Sequence, residues 1–143
     1  MSETLRDCEI ENIKKLYLES VKCNYRFIEQ VPDEYKTEEL CLEAVKHDYS
    51  LIKHVPDEYK TKSFYLKAVK YNYSLIEHIP DEYKTKTFCL EVIKCNCSFM
   101  IYIPDKYKTE ELCLEAVKHD YSLIKHVPDK YKTKSFYLEA AKM

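Results

Sequence analysis

A Val-Pro or Ile-Pro dipeptide recurs every 24 residues, at Pro32, Pro56, Pro80, Pro104 and Pro128. That period constrains the fold more than any other feature of the chain. Self-similarity of this length marks stacked supersecondary units that cannot bury their apolar faces alone. The first unit, 7–30, lacks Pro-Asp but keeps the apolar frame: Leu16, Leu18, Val21, Tyr25 and Ile28 match Leu40, Leu42, Val45, Tyr49 and Ile52. Full units occupy 31–54, 55–78, 79–102 and 103–126, and 127–143 stops after its first helix. A longer echo lies on top. Thr37 to Lys70 matches Thr109 to Lys142 with three differences, a block duplication of three units that a modular array tolerates.

Within a unit, Thr37 predicts an N-cap and Glu38 to His47 a first helix, with Leu40, Cys41, Ala44 and Val45 on one stripe. Asp48 and its equivalents Asn24, Asn72, Asn96 and Asp120 mark the turn, either in the left-handed conformation or as a cap for the next helix. A second helix is expected over Tyr49 to His54, with Tyr49 and Ile52 one turn apart. Pro56 ends it by pushing Val55 out of the helical region. Pro-Asp-Glu-Tyr-Lys reads as a turn-prone connector. The expected fold is an all-α helix–turn–helix solenoid of about five and a half units, one domain over 1–143, of either hand. At about 8–10 Å per layer it makes a curved rod of roughly 50–60 Å.

The pattern Val-Pro-Asp-Glu-Tyr-Lys-Thr-x-x-Leu-Cys-Leu-Glu-Ala-Val-Lys resembles a short-repeat family of mimivirus-type giant viruses and some bacteria, a family of unknown function. The likeness covers nearly the whole chain from about Asp7. It implies an α-helical repeat and a viral source, hence a host-cytoplasmic setting, and brings no catalytic residues with it.

Composition narrows function mainly by exclusion. The 143 residues contain no glycine, so the glycine-rich loops that cradle phosphates are excluded. The formal net charge of −2 lacks the basic excess of a nucleic-acid binder. No apolar run suggests a membrane span and no basic-then-apolar start suggests a signal peptide, so an intracellular, cytoplasmic protein is expected. Seven cysteines, an odd number, fit free thiols there.

Periodic residues read first as architecture. One lysine ladder, Lys22 to Lys142, has glutamates three residues earlier in most units. A second, Lys36, Lys60, Lys84, Lys108 and Lys132, sits beside aspartates. Both are expected to be solvated and charge-balanced, with phosphate tracking as the rival reading. The tyrosine columns Tyr35, Tyr59, Tyr83, Tyr107, Tyr131 and Tyr25, Tyr49, Tyr73, Tyr121 are expected to fill seams between layers. Cys41, Cys89 and Cys113 are expected as small core residues. Cys95 and Cys97 lack zinc-site spacing, and the histidine registers are too far apart to share a metal. No catalytic motif appears, so neither an enzyme nor a cofactor or metal site is expected.

The repeat breaks in its fourth unit. Where other units end their second helix in Glu-Gln, Lys-His or Glu-His, this one reads Met100-Ile101-Tyr102. Either this is an exposed apolar contact patch or a drifted unit that has repacked. At the C-terminal end Phe136, Tyr137 and Ala141 lie on a helix with no partner helix after it. That face invites a second copy and a two-fold dimer. The expected function is therefore non-enzymatic protein–protein interaction, with self-association. The alternative is nucleic-acid binding through the lysine ladders.

Overall fold

The computed structural model describes residues 3–142. Six α-helices succeed one another: α1 (Glu3–Cys23), α2 (Glu38–His47), α3 (Lys62–Tyr71), α4 (Lys86–Cys95), α5 (Glu110–His119) and α6 (Lys134–Ala140). Shorter 3-10 helices separate them, and no strand forms among the described residues. The chain divides into two compact units, 1–72 and 73–143. In the first, α1, α2 and α3 stack in order, and the 3-10 helices Tyr25–Gln30 and Tyr49–His54 pack on each other and on α2. In the second, α4, α5 and α6 form the row, with Tyr73–Glu77, Cys97–Tyr102 and Tyr121–His126 as its 3-10 companions. Each unit is thus an all-α repeat stack with a layer every 24 residues.

The first helix of each repeat forms as its residues dictate. The Thr37 hydroxyl accepts from Leu40 N, and Thr61, Thr85, Thr109 and Thr133 repeat the bond. Leu40, Cys41, Ala44 and Val45 are buried, as are Phe64, Tyr65, Ala68 and Val69 in α3, and the same four positions in α4 and α5. Thr109→Ala should lower stability by about 1 kcal/mol in urea denaturation while Thr109→Ser stays near wild type, because the cap bond at 3.1 Å needs only a hydroxyl.

The second helix has the expected limits, Tyr49–His54, but it is a 3-10 helix. Six residues held between a side-chain cap and a pre-proline residue suit i→i+3 bonding, which gives usable bonds within so short a span. At its start Asp48 is extended (φ −147, ψ 105) and its carboxylate accepts from Ser50 N. Asn24, Asn96 and Asp120 do the same. Of the two readings of this turn the cap therefore holds. No described residue takes positive φ, which lets the chain dispense with glycine. Val55 is extended before Pro56, as are Val31, Ile103 and Val127 before theirs, and the residue before every proline is buried.

Inside the 3-10 helix the buried residue is Leu51, while Tyr49 and Ile52 are only half-buried. Leu16 also departs from expectation. It is 69% exposed where its repeat counterpart Leu40 is fully buried, although Val21 on the same helix is buried like its counterpart Val45.

Candidate interaction surface

The second lysine ladder is not a solvated face. Lys36, Lys84 and Lys108 are 6–7% exposed. The Lys36 ammonium donates to the His54 carbonyl at 2.7 Å and to Asp33 Oδ1 at 2.7 Å. Lys108 repeats this on His126 and Asp105, at 3.0 and 2.8 Å. Each ammonium thus serves the carbonyl of the last residue of a 3-10 helix, where positive charge is favoured. Lys84 reaches back instead, to the Glu77 carbonyl at 3.1 Å. Burying a lysine is costly unless it is paired and hydrogen-bonded, and these three are. Lys60 and Lys132 are less buried and sit in an inverse γ-turn geometry (ψ 65 and 62), next to Asp57 and Asp129. The first ladder meets expectation at Lys22, Lys46 and Lys142, each 2.7–3.5 Å from a glutamate three residues earlier.

The first tyrosine column fills the seams as expected. Tyr59 donates its hydroxyl to the Lys36 carbonyl and Tyr131 to that of Lys108, so in these two layers the tyrosine pins the backbone of the layer before. In the second column, Tyr25 and Tyr49 are half-buried but Tyr73 and Tyr121 stand out to solvent. The cysteines expected in the core are there. Burial pushes the Cys41 thiol up to about 12, and Cys89 and Cys113 to about 11, so all three stay protonated and inert.

The three fourth-repeat residues differ in exposure. Ile101 is 52% exposed and Tyr102 half-buried. Met100 is fully buried and belongs to the core, which removes it from the expected contact set. The reason is local: on the 3-10 helix Cys97–Tyr102, Phe99 and Met100 face inward together, leaving Ile101 outside. Tyr73, itself exposed, packs on this 3-10 helix, its ring centroid 5.3 Å from Tyr102 and 5.5 Å from Phe99. Its register among seam tyrosines concealed it. At the C-terminal end, Phe136 is likewise corrected to a core residue at 0% exposure, since it occupies the stripe position of Phe64 and Phe88. Tyr137 and Ala141 are exposed, together with Leu138.

Among the described residues no three His, Cys, Asp or Glu side chains stand placed to hold a metal ion, and no helix is long and apolar enough to cross a membrane.

The repeats place the chain among proteins defined by a recurring helical unit. The family described as "Domain of unknown function (DUF4116)" matches residues 14–60, 37–84, 61–108 and 85–132, each match spanning two successive repeats, and the chain belongs to that family. Comparison with curated proteins and with solved structures brings no match.

Proposed function

We propose that this repeat domain is a non-enzymatic protein–protein interaction module that self-associates through its fourth repeat. One observation carries the reading. Ile101 projects 52% exposed from a register in which the other repeats hold Glu29, Lys53, Glu77 and Lys125. In the repeat 72 residues earlier, Glu29 lies 3.9 Å from His54. Its replacement by isoleucine, next in sequence to Tyr102, turns a charged register apolar at one layer. Aromatic and aliphatic anchors set among charges are what a contact centre needs. Tyr137 and Leu138 on α6, with Ala141 just after it, offer a second apolar area.

The second lysine ladder lends little to a nucleic-acid reading, and in the first Lys22, Lys46 and Lys142 are already paired with glutamates. Lys36, Lys84 and Lys108 are bonded to backbone carbonyls and buried, so they cannot reach phosphates without breaking the fold.

Ile101→Lys installs the residue that Lys53 and Lys125 already carry in this register, so the fold should tolerate it. It should weaken self-association by about tenfold or more, the equivalent of about 1.4 kcal/mol, read from the concentration dependence of sedimentation. Sedimentation identical to wild type would remove the patch from the interface.

A further inference from the structure

The 72-residue echo extends upstream of Thr37 and there exposes one lost ring. Residues 21–25 read Val-Lys-Cys-Asn-Tyr and residues 93–97 read Ile-Lys-Cys-Asn-Cys, with His47 and His119 as the matching histidines. In the first copy the Tyr25 ring stacks on the His47 imidazole, centroids 5.3 Å apart and planes 16° apart. Glu43 holds that imidazole from one turn earlier, at 3.6 Å. In the second copy Glu115 holds His119 in the same way, Nε2 to Oε1 3.3 Å. The stacking ring is gone, because Cys97 stands where Tyr25 stands. An open cleft of about 310 Å³ lies there, lined by Ile93, Lys94, Cys95, Asn96, Cys97 and His119. Every lining residue has its counterpart in 21–25 or at His47, with valine to isoleucine and tyrosine to cysteine as the differences.

Two thiols and an imidazole would suit a soft metal, but these side chains do not converge on one. The shape points elsewhere. We propose that the cleft receives a tyrosine side chain presented by another polypeptide, its ring stacked on His119 as Tyr25 stacks on His47 within the chain. The occupant is named by the protein's own internal copy: the same walls, the same glutamate-anchored imidazole, and a phenol ring between them. Lys94 and Asn96 add polar groups to the lining, which suits tyrosine better than a wholly apolar ring. This site is separate from Ile101 and does not depend on the reading given for it.

The test is a titration of the full chain with N-acetyltyrosinamide, observing the histidine ring protons by NMR. The His119 signals should move upfield and saturate at a concentration on the order of millimolar, as a single stacked ring allows. N-acetylleucinamide should leave them in place. Cys97→Tyr should fill the cleft from within, moving His119 upfield before any addition and abolishing its response. Tyr25→Cys should open the matching cleft and make His47 responsive. A His119 shift that grows with protein concentration alone would support the site and identify a second copy as the source of the ring. The absence of a saturable His119 shift, or a response unaffected by Cys97→Tyr, would overturn the proposal. Ile101→Lys should leave the titration unchanged, so failure here and failure of the Ile101 interface are read separately.

Discussion

Phe88→Ala should destabilise the protein by about 3–5 kcal/mol, the largest loss expected from any single truncation named for this chain. Phe88 is fully buried on the first turn of α4, among the largest side chains of the core. Removing the ring takes away its burial and leaves a void that the stacked helices cannot close without shifting. Phe88→Leu should cost less than about 1.5 kcal/mol. The repeat explains why, since the same position holds Leu40 and Leu112 in other layers, both fully buried. Urea denaturation gives the totals. Hydrogen exchange should show the loss concentrated in 73–143, because each repeat draws its stability from its own contacts and its neighbours'. An equal cost for alanine and leucine would mean that the position is not a packed layer site.

Lys108→Ala should cost about 2–3 kcal/mol, while Lys132→Ala, in the same register one repeat later, should cost under about 0.5 kcal/mol. Lys108 is buried and its ammonium serves both the His126 carbonyl and Asp105, whereas the Lys132 side chain is 26% exposed and its ion pair is with the exposed Asp129. Truncating Lys108 strands a carbonyl at the end of a 3-10 helix and also removes the packed stem. Lys108→Met restores the stem and so isolates the ammonium's part. The pair also adds an acid-side dependence. The Lys108 hydrogen bond and charge hold the Asp105 carboxyl below the usual aspartate range. With the folded value lowered, the pair's contribution is complete above the ordinary aspartate pKa and is lost as pH falls through the lowered one. Lys108→Ala should therefore show a shallower loss of stability in acid. Equal effects at Lys108 and Lys132 would return the ladder to a solvated role.

Much of this is legible in the sequence, for local reasons. The limits of α2, the Thr37 cap, the turn at Asp48 and the extended Val55 are set by residues within a few positions of one another, though whether Asp48 caps or turns left-handed is decided only by the structure. The burial of Leu40, Cys41, Ala44 and Val45 comes from helical spacing alone. Features that depend on contacts between layers stay hidden. Nothing near Lys36 announces a bond to His54, 18 residues on, so a lysine beside an aspartate reads as an exposed pair. The short second helix hides its pitch, and with it which of Met100 and Ile101 turns inward. Phe136 reads as uncovered when α6 is considered by itself, whereas packing on α5 buries that side and leaves Tyr137 and Leu138 outside. The gap at Cys97 is visible as a broken column, yet its meaning needs the Tyr25–His47 stack to be seen.

Self-association through the apolar surfaces stands or falls on sedimentation equilibrium of the reduced wild-type protein. The expected result is a concentration-dependent mass rising toward twice 17.2 kDa, reduced by Ile101→Lys. A mass that stays at 17.2 kDa at every concentration would contradict it.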